Sequence, residues 1–152
     1  MIKKFLKFTA LLLTISAISV SISSCKKELN PELSNVQVCI PPSSGVLCTS
    51  NQTTFSPTDS EIRISATAKD IEKSNTVSFA MYFQVNGEWQ EILTDSSPIS
   101  ALGDFDDEID ELDLNYTFNA GTQMWNEGQW RLTMDINSDM ALSTEKIITV
   151  EN

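Results

Sequence analysis

The strongest constraint on this chain is a hydrophobic period of two. Ile62, Ile64, Ala66 and Ala68 fall on one side of an extended backbone, and Arg63, Ser65, Thr67 and Lys69 on the other. Val77, Phe79, Met81, Phe83 and Val85 repeat the pattern against Ser78, Ala80, Tyr82 and Gln84. Successive side chains of a strand point to opposite faces, so the alternation predicts half-buried strands. Asn86-Gly87 follows the second run, and residues 88–93 lead back from it. Asn-Gly accepts the two positive φ angles of a type I′ turn and predicts a hairpin.

Shorter runs extend the same reading. A first strand is expected over residues 36–40, followed by a turn-rich stretch over 49–60 in which Phe55 plugs the edge of the core. Leu112, Leu114, Tyr116 and Phe118 alternate, as do Trp130, Leu132, Met134 and Ile136, and a last strand is expected over residues 145–150. Only residues 105–112 suggest a helical turn, through the spacing of Ile109 and Leu112. The fold class that follows is all-β. A single antiparallel sandwich of about seven strands is expected over residues 36–152, behind a polar tether at 25–35.

Trp125, Gly128 and Trp130 form a Trp-x-x-Gly-x-aromatic turn before the penultimate strand. This resembles the closing strands of bacterial immunoglobulin-like domains over roughly residues 55–152, with Trp130 where tyrosine is more usual. The resemblance implies that Trp130 packs between the sheets and that Gly128 permits the tight turn. The inter-sheet Cys–Trp–Cys spacing of antibody domains is absent.

The N-terminus has a different character. Lys3, Lys4 and Lys7 precede an apolar run over residues 8–20, and small polar residues fill 21–24. A membrane span needs about 20 apolar residues. This run is shorter and is interrupted by Thr9, Thr14, Ser16 and Ser19, so it reads as a secretory signal over residues 1–24. No Ala-x-Ala site follows. Instead, Ile22-Ser23-Ser24-Cys25 resembles the lipobox of bacterial lipoproteins. The resemblance implies cleavage before Cys25, diacylglycerol on its sulfur and an acyl chain such as palmitate on its new amino group. Several chains anchor a protein stably where one does so only marginally. The plainer alternative is a free cysteine near a cleavage site. Lys26, Lys27 and Glu28 are similar to the start of lipoproteins of the Bacteroidota. That similarity implies the outer membrane, with its periplasmic and external faces both open.

Loss of residues 1–24 leaves 128 residues with 7 basic and 21 acidic side chains, a net charge of −14. Such a charge disfavours nucleic acid and anionic head groups, and it also serves solubility alone. The chain has no histidine. Ser-His-Asp and Cys-His catalysis and the commonest zinc ligand are thereby excluded. Cys39 and Cys48 are the cysteines left after lipidation, and in an exported protein such a pair predicts a disulfide. Pro41, Pro42 and Gly45 suit a turn between them. The loop is either a brace or a constrained, inhibitor-like recognition loop.

Two further groups are candidate sites. Asp104, Asp106, Asp107, Glu108 and Asp110 crowd one segment, and carboxylate oxygens in such density are candidate calcium ligands. The EF-hand pattern fails, with Ile109 at the glycine position and Asn115 at the final glutamate position. A solvated acidic loop is the alternative. Tyr82, Trp89 and Trp125 are candidate exposed aromatics for stacking on sugars or anchoring a protein, or else they cover core edges. The functional expectation is a non-catalytic binding or assembly module held at the envelope through its lipid, with an unidentified envelope protein or glycan as partner. A carbohydrate-binding accessory protein is the alternative, and an envelope enzyme or inhibitor a more distant one.

Overall fold

The structure is a computed structural model and describes residues 29–121, 124–137 and 142–152. The signal segment and Cys25 lie outside the described residues. Eight strands follow in order: β1 (Glu32–Cys39), β2 (Thr54–Phe55), β3 (Glu61–Glu72), β4 (Thr76–Val85), β5 (Glu88–Pro98), β6 (Glu108–Asn119), β7 (Gly128–Asn137) and β8 (Leu142–Val150). They form two sheets, β1-β3-β6 and β2-β8-β7-β4-β5. All pairings are antiparallel except β2 with β8, which is a parallel contact two residues long. The all-β sandwich expected from the alternation is therefore present. Among the described residues the strands number eight, because a bridge as short as β2 leaves no periodic signal.

The alternating sets meet between the sheets. Ile62, Ile64, Ala66 and Ala68 from β3 and Val77, Phe79 and Met81 from β4 are buried. Trp130, Leu132, Met134 and Ile136 complete the core from β7, and Ile148 and Val150 from β8. Phe55 is 2% exposed and closes one edge, as expected. Burying one such side chain contributes about 1.5–3 kcal/mol, so the face assignment of each strand is strongly enforced.

The strict period breaks once within this core. Ala68 and Ile71 both have no exposed surface although they are three residues apart. Asp70 lies between them at φ 49°. This left-handed residue turns the strand, so that Ile71 and its partner Ile109 enter the core. Asn86 (φ 54°) and Gly87 (φ 84°) have the two positive angles of the expected type I′ hairpin.

Two sequence expectations are corrected. Residues 105–112 form no helical turn. β6 begins at Glu108, and the short 3-10 turn Ile99–Ala101 is the helical element among the described residues. Pairing of Ile109 with Ile71 outweighs the local spacing of Ile109 and Leu112. The tether also ends earlier than Asn35. Glu32, Leu33 and Ser34 already pair with Lys69, Ala68 and Thr67, and a register shift follows before Gln37. The polar character of residues 32–35 belongs to an edge strand rather than a linker.

Candidate docking surface

Register places the outward side chains of the five-stranded sheet in rows. Glu91 of β5, Tyr82 of β4, Arg131 of β7 and Ile147 of β8 form one row. Trp89 and Gln84 pair in the adjacent row, towards the Asn86-Gly87 turn. Thr94, Ala80, Thr133 and Glu145 form the row on the other side.

Arg131 organises this face. Its guanidinium carbon lies 4.2 Å from the centre of the Tyr82 ring and 5.1 Å from that of Trp89. Its Nη1 is 3.9 Å from Glu145 Oε2, and its buried Nε has no hydrogen-bond partner among the described residues. A partly exposed ion pair at that distance contributes no more than about 1 kcal/mol. Each cation–π contact contributes about 0.5–1 kcal/mol at an exposed site and ~2 kcal/mol once desolvated. The two rings, rather than Glu145, therefore fix the guanidinium. Ile147 completes the row with a side chain 49% exposed.

Tyr82 and Trp89 thus sit half-buried on the outer face, brought together through a side chain that local alternation did not single out. The outward orientation of Arg131 is readable from its neighbours Trp130 and Leu132. Its place between the rings depends on β4 pairing with β7, which no local pattern specifies.

Trp125 does not belong to this surface. It is 6% exposed, and its indole N–H donates to the Asp59 carbonyl at 2.7 Å. Its ring meets Trp130 edge-on, with centroids 5.2 Å apart and planes at 89°. The loop before Gly128 folds inward, and Trp125 closes that end of the core. Trp130 lies between the sheets as expected, its ring tilted by 45° against Phe83 with centroids 4.7 Å apart.

The acidic segment is spread out rather than gathered. Asp104, Asp106 and Asp107 are exposed on the loop before β6, Glu108 opens the strand, and Asp110 is exposed beyond it. No group of three or more metal-ligating side chains among the described residues is arranged to hold an ion. An extended backbone sends neighbouring carboxylates to opposite sides, which works against a common centre. Glu72, Lys73, Ser74, Ser100, Asp107 and Glu108 line a shallow cleft at this end, where Lys73 Nζ donates to the Phe105 carbonyl at 2.9 Å.

The disulfide between Cys39 and Cys48 is present, with Cα atoms 5.8 Å apart. Its loop lies against the outer face of the smaller sheet. Arg63 Nη1 donates to the carbonyls of Gly45 at 3.1 Å and Val46 at 3.3 Å, while its Nε donates to Thr117 Oγ1 at 3.1 Å. The Cys48 N–H donates to Ser65 Oγ at 2.9 Å, and this contact accounts for burial of a polar outward residue. The loop is braced at several points, and sequence reasoning missed Arg63 and Ser65 as the braces.

One titratable group bridges the two sheets. Tyr116 of β6 stacks on Phe79 at 4.8 Å and hydrogen-bonds the Asp95 carboxylate of β5. Burial first, and then that carboxylate, push its phenol above the ordinary value of 10.0. No protein-family model and no curated protein matches the chain.

Proposed function

We propose that this protein is a non-catalytic, lipid-anchored envelope module that captures a protein partner on the outer face of its five-stranded sheet. The observation that carries the docking face is the Tyr82–Arg131–Trp89 stack beside exposed Ile147. Tryptophan, tyrosine and arginine dominate binding energy at protein interfaces, and rings already held in place lose little freedom on binding. The anchor reading rests on Ile22-Ser23-Ser24-Cys25 following a short apolar signal. The carbohydrate alternative has less support, since Trp125 is buried and Arg131 covers one face of each remaining ring.

The immunoglobulin-like type is part of the same proposal. Its support is the order of strands, with the first, third and sixth facing a sheet in which the eighth, seventh, fourth and fifth follow one another. That order matches strands A, B and E against G, F, C and an added C′. Strand D is missing, and the disulfide braces a loop instead of joining the sheets.

A tagged form purified in neutral detergent and incubated with envelope extract tests the docking face. Capture of a defined protein should be lost in Trp89→Ala and in Arg131→Ala and kept in Lys69→Ala, on the other sheet. Equal capture by all four forms would remove the docking face.

A further inference from the structure

We propose that the free edge of β5 accepts an added strand from a lysine- or arginine-bearing extended segment of another protein. β5 ends its sheet among the described residues and pairs only with β4. Nearly every residue from Glu88 to Pro98 is exposed. In a two-residue hairpin the pair flanking the turn exchanges hydrogen bonds, and the pattern alternates from there. Val85 and Glu88 flank this turn, so Trp89 and Glu91 direct their backbone N–H and C=O away from β4.

The edge has apolar as well as backbone character. Tyr82 faces Glu91 and Met81 faces Leu93, which leaves Ile92 as the extra residue of a bulge. Ile92 is 52% and Leu93 39% exposed. The open stretch closes at Asp95, whose Oδ1 accepts from the Ser96 N–H at 2.8 Å and whose carboxylate also bonds Tyr116. About seven residues, 88–94, therefore remain for a partner strand.

Charge selects the occupant. Glu88 and Glu91 are exposed within the stretch, Asp95 ends it, and no basic residue lies between them. A second copy of this chain would set these acids against themselves, and like charges directly opposite destabilise a strand pair. A cationic strand reverses that sign at each position. The acids thus guard the edge against self-association while leaving it open to a partner of opposite charge. This edge shares Trp89 and Glu91 with the outer face, but its test reads backbone amides and depends on neither the ring stack nor the lipid.

Backbone amide hydrogen exchange on the detergent-purified protein, with a synthetic (Lys-Val)4 peptide as probe, tests the proposal. Within residues 88–94, the outward amides of Trp89 and Glu91 should exchange at least about tenfold more slowly with the peptide bound, and a (Glu-Val)4 peptide should have no effect. In the double variant Glu88→Lys/Glu91→Lys the preference should reverse, while protection of β4 and β7 stays unchanged and reports an intact fold. Binding of (Lys-Val)4 without protection of residues 88–94 would overturn the proposal. So would equal protection in the charge-reversed variant, or no binding.

Discussion

Gly128 opens β7 at φ 138°, a conformation that side chains rarely adopt, and a Cβ there would lie 3.1 Å from the Phe83 ring. Phe83 in turn packs at a tilt against Trp130, so backbone strain and ring packing converge on this residue. Gly128→Ala should cost about 1–3 kcal/mol, read as a lowered urea midpoint with an unchanged slope. Tyr116 offers a second residue-scale test. Its raised value means that the folded state favours the neutral phenol, so its contribution is complete below pH 10 and is lost as pH rises through the folded value. Phenolate absorbance of Tyr116 should therefore emerge above pH 10, and Asp95→Asn should move it downwards. An unchanged titration in that variant would argue against the sheet-bridging hydrogen bond.

At the scale of elements, the disulfide loop and the aromatic row make different demands. Joining residues nine apart, the Cys39–Cys48 bridge should contribute about 2.5–3 kcal/mol by restricting the unfolded chain. Cys39→Ala/Cys48→Ala should lower chemical stability by that amount while leaving the sheet circular dichroism signal in place. Iodide should quench Trp89 fluorescence less in Arg131→Met, which keeps apolar bulk but removes the charge, than in Arg131→Ala. Equal iodide access in both variants and the parent protein would mean that Arg131 does not cover the ring. The element pattern itself was largely legible. Buried alternation in β3, β4 and β7 and the Asn86-Gly87 turn follow directly from residue spacing. Pairing between distant strands was not legible, and that pairing brings Arg131 between Tyr82 and Trp89. Trp125 shows the converse problem. A tryptophan in a loop looks available from sequence, yet its indole satisfies the Asp59 carbonyl from a segment 66 residues away.

At the scale of the whole molecule, one core supports two surfaces of different character. The braced disulfide loop covers the smaller sheet's outer side around Arg63 and Ser65, while Lys69 and Glu111 stay exposed. The larger sheet leaves its outer rows and its β5 edge exposed. The proposed anchor is tested separately from either surface. Cys25→Ser should abolish labelling by a palmitate analogue and release the protein from the membrane fraction, with the exchange pattern of the sandwich unchanged. Persistence in the membrane fraction without label would point to another means of attachment.

The early start of β1 limits where such a module can work. Seven residue steps separate Cys25 from Glu32, and even fully extended they reach no more than about 25 Å. With lipid on Cys25, crossing the head groups takes ~5–7 Å of that length. The sandwich is then leashed within roughly its own strand length of the bilayer. Under the proposed anchoring, a partner would have to be resident in that thin layer or be delivered to it, because so short a leash would not let the sandwich swing out to collect one.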